Sequence, residues 1–544
     1  MSQKKHNYAL PIALAAGATV VGIAGTIYYY KDHAIGTRNP KSMGLPVLKN
    51  PTPLIGNTPE MIVTNDYRTD WIAQTCKELG EAWALTLPFQ NCMLTVNVQD
   101  VEFILKDPYL FEKGEKFRAN AQDMLGHGIF NSDGQDWRIA RKVGANIFNV
   151  KNFRDLFSNV FVEESQKLVA QIRTAASMGG IIELQDLLLR ATLDSFTLIA
   201  MGRKTNAIEG NGKINADGIY TLPVEPFMQA FDGANQITST RFSTPFWSIL
   251  EYFNGDHAKM HGYLKVMNDF AKDVVDEKRA KIAAGHKGSD LLDLFMSNGN
   301  DDGTPLTDTQ LRDITLNFII AGRDTTAQTL GWTFMRLSQN PEVEKKCRAE
   351  LLAVLGKDGQ YTFESLKQLK YTNATFLEAL RMHANVPGNQ KTASADCVLP
   401  GTGTPVKKGD AIFISPYVMG YSTDIWGPDA GTFRPERWID QDGLLIKPNQ
   451  FAFPHFNAGP RICLGMNMAQ QEGWSAVRFG VSSTIDSVVF MSNIIRNFSL
   501  ELVREDSPEH WGVFSEDPSK RLGRSSPALT LNARCGIHFK PIPL

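Results

Sequence analysis

The ten residues FNAGPRICLG, Phe456–Gly465, constrain this chain more than any other stretch. They set one cysteine, Cys463, between two glycines, with an arginine two residues before it. A thiolate close to Arg461 and to backbone N–H groups has a lowered pKa and is a strong ligand. Gly459 and Gly465 let the backbone come close to something flat and bulky. A nucleophilic cysteine calls instead for a histidine base; His455 is near in sequence, but no third, orienting group is evident. A buried, inert thiol is the default for an isolated cysteine. The other five, Cys76, Cys92, Cys347, Cys397 and Cys535, are scattered without a C-x-x-C pair. That spacing supports neither a disulfide framework nor a zinc site, and suits a reducing compartment.

With 544 residues the chain is long enough for a large core. A net charge of -2 gives no basic surplus, so no nucleic-acid partner is expected. The N-terminal run Tyr8–Tyr30 holds 23 residues without a charge. As a helix it would reach roughly 34 Å, enough to cross a bilayer core, with Tyr28, Tyr29 and Tyr30 at the headgroups. A cleaved signal peptide is the alternative, although the run is long for one and its aromatic exit lacks a small-residue cleavage site. Lys4 and Lys5 precede the run, and Lys31, Arg38, Lys41 and Lys49 follow it, which leans toward a cytoplasmic body.

Residues 31–60, with Pro40, Pro46, Pro51, Pro53 and Pro59, read as a stiff linker. From residue 61 to 544 the chain is continuously globular. WALTLPFQNCMLTVNV suggests two short strands. Apolar periodicity then predicts helices over Asp136–Asn149, Phe153–Ser177, Leu184–Met201, His257–Ala284, Thr307–Gln339 and Pro341–Leu355. Short β-type runs return at DCVLP, AIFIS, FSLELV and ALTLNA, so the class is mostly α with minor β. Two stretches interrupt the pattern. Ala207–Pro226 is glycine-rich and reads as a surface loop. Arg241–Phe253 is packed with aromatics, and is either core or a hydrophobic surface that dips into a membrane.

The pattern Phe-x-x-Gly-x-Arg-x-Cys-x-Gly resembles the haem-binding loop of cytochrome P-450 enzymes at every defining position. The resemblance implies that Cys463 is the axial ligand of the haem iron, with Phe456, Gly459, Arg461 and Gly465 around the cofactor. AGRDTT, Ala321–Thr326, looks like the family's oxygen-activation segment. There Gly322 would leave room for dioxygen, and Asp324 and Thr325 would form the catalytic acid–alcohol pair. EALR supplies Glu378 and Arg381, and FRPERW supplies Arg437, the family's structural ion network. WRIAR, with Trp137 and Arg141, resembles the element that contacts a haem propionate, a role Arg461 would share. The implied fold is a triangular, helix-rich prism with small sheets behind an N-terminal transmembrane helix. The implied cofactor is haem b. Electrons would come from NADPH through a separate NADPH–cytochrome P-450 reductase docking on the cysteine side, with a cytochrome b-type protein as a second donor.

AGRDTTA, GHGIFNSDGQDW and AFDGANQITSTRF resemble fungal and plant fatty-acid and alkane hydroxylases of this family. That implies terminal or near-terminal hydroxylation of a long-chain lipid at the endoplasmic reticulum membrane, with one membrane pass and the catalytic domain facing the cytoplasm. Segments 117–130, 227–240, 317–325, 386–391 and 525–529 would wall the substrate. MHANVPGNQ after EALR, and Tyr421 in place of a frequent arginine, depart from the family pattern. A surplus of about fourteen residues, 474–487, follows the cysteine helix, and Gly480, Ser482, Ser483 and Thr484 are poor helix formers. It reads as a retained in-frame intron or an added loop. Two other function classes stay open: a reductase-independent peroxide isomerase, against which the Asp324–Thr325 pair argues, and a haem-poor, inactive membrane protein.

Overall fold

The computed structural model describes residues 19, 21–147, 158–285, 288, 290–300, 303–357, 359–467, 482–503, 525, 528–533 and 536–544. Within them the chain is mostly helical with small sheets, as expected. The helices that matter below begin with α1 (Arg68–Leu79), α2 (Glu115–Leu125), α3 (Gly134–Ile147), α4 (Ser158–Ser177), α5 (Leu184–Met201) and α6 (Pro226–Arg241). They continue with α7 (Trp247–Asn254), α8 (Asp256–Ala283), α9 (Asp308–Gln339), α10 (Pro341–Leu355), α11 (Lys370–Met382) and α12 (Ser482–Asn497).

Boundaries fall where capping chemistry dictates. α9 starts in a capping box: the Thr307 hydroxyl accepts from Gln310 N (3.2 Å), and the Gln310 amide oxygen accepts from Thr307 N (2.9 Å). Pro341 then stops it and opens α10. The Glu183 carboxylate caps α5 by accepting from Gln185 N and Asp186 N (3.0 and 2.5 Å). α3 and α4 match the expected helices as far as they are described; residues 148–157, onto which both expectations ran, lie outside the described residues.

One five-stranded sheet has the order β1-β2-β10-β7-β3, where β1 is Ala82–Leu87, β2 Gln90–Thr95, β3 Phe111–Glu112, β7 Asn389–Ala393 and β10 Ala411–Ile414. β1 and β2 form the expected hairpin, with Ala82 opposite Thr95, and β10 runs parallel to β2. The second sheet, β11-β12-β4-β6-β5, joins Phe498–Leu502, His538–Pro543, Ile181–Glu183, Ile219–Thr221 and Lys213–Ile214, and β8 (Cys397–Val398) pairs antiparallel with β9 (Pro405–Val406).

Several expectations need correction. The proline-rich stretch does not stand off as a linker. Ala84 N donates to Pro46 O (2.8 Å), Leu48 N donates to Ala84 O (2.9 Å), and Arg38 grips Asp410 with both terminal nitrogens. Pro40 opens a 3-10 turn, Pro40–Met43, and the extended backbone after Pro46 pairs with the edge of β1, Val47 opposite Ala84. The glycine-rich segment 207–226 is not a plain loop: it contains the β5–β6 hairpin, closed by the Asn215 side chain, which accepts from Asp217 N and Ile219 N. ALTLNA, 528–533, is part of no named strand, though its last residue makes an isolated antiparallel bridge with Ser525. Trp332 Nε1 donates to Leu531 O (2.8 Å) and Gln328 Nε2 to Thr530 Oγ1 (2.9 Å), so helix α9 takes its polar groups. Of the two readings for Arg241–Phe253, the surface one fits: Phe246, Ile249, Leu250, Tyr252 and Phe253 are exposed, the last at 84%.

Of the surplus 474–487, residues up to 481 lie outside the described ones, while Ser482–Ser487 are the opening turns of α12 rather than an interruption. Serines are poor in helix interiors but good at starts, and Val488, Val489, Met491, Ile494 and Ile495 bury the rest of the helix. Residues 8–18 and 20 of the expected anchor also lie outside the described ones; residues 21–29 are helical and exposed. Among the described residues no helix is long and apolar enough to cross a membrane.

α9 runs through the core. From Thr315 to Leu337 every residue is buried except Ala321, Gly322 and Thr325. These lie at i, i+1 and i+4, one helix face that opens onto accessible space.

Candidate active site

The loop that carries Cys463 is built from two short 3-10 turns, Pro454–Phe456 and Gly459–Arg461, and runs into the short helix Leu464–Asn467. Cys463 N donates to Phe456 O at 2.8 Å, which folds the loop back on itself. Gly459 has φ 61°, and a Cβ there would stand 2.3 Å from Leu105 O, so the position admits only glycine. Gly465 is the second residue of the short helix. Cys463 is exposed, whereas Cys92 and Cys347 are buried and Cys76 is half-buried. Burial pushes the Cys76 thiol up to about 11 and those of Cys92 and Cys347 up to about 12, which leaves them inert.

Cations crowd this loop. Arg461 donates to Ser132 O from both terminal nitrogens (3.2 and 3.1 Å) and to Asp133 Oδ1 (2.8 Å), and it lies over the Trp137 ring at 4.4 Å. Its buried Nε has no partner among the described residues. Arg141 Nη1 donates to Ile462 O, next to the cysteine; burial lowers its pKa and the Cys463 charge raises it. Burial, and then the charge of Arg461, bring Lys113 down to about 8, against the pull of Asp133. Burial drives Lys391 far below the usual lysine range, helped by Lys113 and Arg461. The sequence reading missed Lys113 and counted Lys391 only as the end of a substrate wall. No motif surrounds either; folding alone puts β3 and β7 side by side beside the cysteine loop.

On α9, Asp324 is buried and accepts from Arg323 Nη1 (2.8 Å), Asn235 Nδ2 (3.2 Å) and Thr530 Oγ1 (3.3 Å). Burial, reinforced by Asp232, raises it to about 6 although Arg323 opposes. Arg323 in turn grips Asp232 of α6 at 2.7 and 3.1 Å. Thr325 does not touch Asp324: its hydroxyl donates back to Ala321 O at 2.7 Å. Gly322, on the accessible face of α9, also serves packing. A Cβ there would meet Phe196 of α5 at 1.8 Å, so the missing side chain lets α5 and α9 pack. Parts of three of the expected wall segments meet helices α9 or α6: 117–130 and 227–240 on α9, and 525–529 on α6. Phe130 N donates to Asn317 Oδ1 (3.1 Å), His127 N to Asp313 Oδ2 (2.8 Å) and Leu529 N to Asn235 Oδ1 (2.9 Å).

Glu378, Arg381 and Arg437 come together. Arg381 meets both Glu378 oxygens (2.9 and 2.8 Å), and Arg437 Nε (3.0 Å) and Trp438 Nε1 (2.9 Å) add to them. Burial pushes Glu378 up, but the two guanidiniums outweigh it and hold the carboxylate below its usual range. Arg381 O lies 3.2 Å from His455 Nε2, which joins this network to the start of the cysteine loop.

His455 stacks on Phe453 at 4.0 Å, and burial lowers its pKa to about 3. In the unfolded chain a histidine titrates near 6.5. Between those values the unfolded chain binds the extra proton, so the stability from keeping His455 neutral is complete above pH 6.5 and is lost as pH falls toward 3, at up to about 1.4 kcal/mol per pH unit. Melting temperatures from pH 7 to 5 are expected to fall less steeply in His455→Asn than in the unsubstituted protein; equal slopes would contradict the assignment.

A family model for Cytochrome P450 matches residues 46–514. The chain is 33% identical over 510 residues to Cytochrome P450 monooxygenase cyp1 of Mycosarcoma maydis, covering 91% of this chain and 75% of that one. It is 34% identical to Cytochrome P450 86B1 of Arabidopsis thaliana (80% and 79% covered) and 33% identical to Cytochrome P450 94A1 of Vicia sativa (69% and 72%). With the cysteine loop, the buried Glu378–Arg381–Arg437 network and this extent of similarity, the chain belongs to the cytochrome P450 family, whose monooxygenases use haem b and take electrons from a redox partner.

Proposed function

We propose that this protein hydroxylates the terminal or near-terminal carbon of long-chain fatty acids or related lipids, with haem b held by Cys463. The observation that carries the reading is the donor set. An accessible thiol is flanked by Arg141 and Arg461, with the lysine side chains of Lys113 and Lys391 near Arg461 and Asp133 as the carboxylate that meets Arg461. Buried like charges are costly without anions to balance them. A flat group with two carboxylates fits: Cys463 would take the iron, and Trp137, Arg141, Arg461, Lys113 and Lys391 would surround the propionates. When bound, the haem supplies the activation of dioxygen, which thiolate ligation favours.

The chain's own residues bind, orient and move protons. Asp324, raised to about 6, exchanges protons near neutral pH. With Thr325 hydrogen-bonded to Ala321 O, transfer between the two runs through water or a rotamer change. Asp324→Asn is expected to lower turnover by about 100-fold or more with substrate binding unchanged. Thr325→Ala is expected to consume NADPH without matching product. Product formed per NADPH consumed checks both; wild-type coupling in both variants would contradict the roles.

The motif resemblance supports the fatty-acid reading, and the open face of Ala321, Gly322 and Thr325 suits an acyl chain. NADPH–cytochrome P-450 reductase is the proposed donor. The endoplasmic reticulum membrane is the proposed location, with one pass and the body on the cytoplasmic side. Supporting it are the uncharged run 8–30 and the exposed apolar surface of Phe246, Ile249, Leu250, Tyr252 and Phe253, with Phe89 at 6.4 Å from Phe246. The test is turnover of a long-chain fatty acid by the full chain with reductase and NADPH. A hydroxy acid oxidised at or near the far end is expected. Reductase-independent rearrangement of a lipid hydroperoxide, with no hydroxylation, would overturn the reading in favour of an isomerase.

A further inference from the structure

We infer that Asn385 is a positioning residue for the proton-moving pair: its side chain fixes Thr325, and its backbone fixes the segment that holds Asp324. The inference rests on the Asp324–Thr325 roles proposed above and adds the group that sets the two relative to each other. Asn385 lies in MHANVPGNQ, the stretch after EALR that departs from the family pattern. It is buried. Its Nδ2 donates to Thr325 O (3.3 Å) and to Thr329 Oγ1 (3.2 Å), and its backbone O accepts from Leu531 N (2.8 Å). A backbone carbonyl only accepts, so the amide nitrogen, and not the amide oxygen, must face Thr325.

The side-chain half acts on a ladder of threonines. Thr325, Thr329 and Thr333 of α9 each turn their hydroxyl back onto the carbonyl four residues earlier, at 2.7 Å in every case. Such back-bonds offer the helix backbone a second partner and bend it. Asn385 enters this ladder at Thr329, one turn beyond Thr325. Because its amide donates to the Thr329 hydroxyl oxygen, the Thr329 proton is left to point at Thr325 O. That carbonyl then holds two side-chain donors, from Thr329 and from Asn385. Thr325 is fixed through its backbone, while its hydroxyl, on the open face of α9, keeps the bond to Ala321 O that water or a rotamer change can replace.

The backbone half reaches the acid. Leu531 has both main-chain groups taken, its N by Asn385 O and its O by Trp332 Nε1 (2.8 Å). Thr530, the residue before it, accepts from Gln328 Nε2 (2.9 Å), which leaves its own proton for Asp324 Oδ2 (3.3 Å). The loop that carries Asn385 is docked on the same helix. His383 stacks on Trp332 with parallel rings 4.5 Å apart, and its Nε2 accepts from Arg336 Nε (2.9 Å). Asp324 and Thr325 do not touch, so a fixed spacing between them needs a third group. Asn385 supplies it: it bonds the residue of the alcohol directly and is one residue removed from the partner of the acid. Small displacements of such groups are felt strongly in rate.

The test is a double-mutant cycle on product and hydrogen peroxide formed per NADPH by the full chain with reductase and palmitate, joined to amide hydrogen exchange of the haem-loaded protein alone. Electrons that do not reach product leave with dioxygen and two protons as hydrogen peroxide. Asn385→Ala is expected to lower product per NADPH by about tenfold, the upper end of what one hydrogen bond contributes. Peroxide is expected to rise to match, with KM for palmitate unchanged, and exchange to quicken over residues 325–333 but not in α10. In a Thr325→Ala background the same substitution is expected to add no further loss, because it acts through that residue. Asn385→Asp keeps the shape and removes the donor; its carboxyl donates again once protonated. Relative to the parent, its coupling is therefore expected to recover as pH is lowered, whereas that of Asn385→Ala does not, and it carries the same readouts if Asn385→Ala does not fold. Parent-like coupling or parent-like exchange in these variants, or additive losses in the cycle, would overturn the role of Asn385 while leaving the acid–alcohol pair standing. Parent-like coupling in Thr325→Ala would overturn the pair, and this inference with it. A parent that does not turn palmitate over would overturn the fatty-acid reading, and exchange over 325–333 then decides the role of Asn385 alone.

Discussion

Replacing Cys463 with alanine is expected to remove the thiolate-haem signature and all monooxygenase turnover while leaving the fold intact. Cys463 is exposed, and its loop is held by other groups: its own backbone N on Phe456 O, Gly459 against Leu105 O, and Arg461 on Asp133. Losing the side chain therefore costs little packing. Cys347→Ala is the control, because that thiol is buried, meets Thr375 Oγ1 at 3.2 Å and is pushed up to about 12. The control is expected to lose stability but keep the spectrum, and the Cys463 variant the reverse. Retained turnover in Cys463→Ala would contradict the assignment.

Glu378→Ala is expected to be the most destabilising single substitution. The carboxylate accepts from Arg381, Arg437, Trp438 Nε1 and Arg434 N, and neither Glu378 nor Arg381 has any solvent exposure. Removing one member of a buried ion pair costs about 3–5 kcal/mol, because the other charge stays buried and unpaired. That is a large part of the roughly 5–15 kcal/mol that hold a typical domain together. Arg381 also donates to Ala430 O (2.7 Å), and its own backbone O lies 3.2 Å from His455 Nε2, so the damage reaches the cysteine loop. Denaturant titration is expected to show a midpoint far below that of the parent and little retained haem. A melting temperature within about 2 °C of the parent would contradict it.

How much of this was legible in the sequence depended on the kind of interaction. Helices α5, α8, α9 and α10 fell within a residue of expectation, because their periodicity, caps and prolines are local signals. The cysteine loop was legible because its glycines and arginine sit at fixed spacing. What the sequence hid is non-local. Lys113 and Lys391 look like ordinary lysines until β3 and β7 pair. Gly322 reads as room for a small molecule, but nothing local shows that its missing side chain also lets Phe196, more than a hundred residues earlier, pack there. ALTLNA has strand composition, but Trp332 of α9 donates to Leu531 O and Gln328 to the Thr530 hydroxyl, contacts that no local pattern announces.

The central claim is that this chain, with residues 474–487 included, binds haem through Cys463. The carbon monoxide difference spectrum of the reduced full-length protein, expressed from the sequence as it stands with haem supplied, tests that most directly. The account predicts a strongly red-shifted Soret band, absent in Cys463→Ala. A folded protein with no such band would contradict it and favour the haem-poor reading; recovery of the band on deleting 474–487 would assign the fault to that segment.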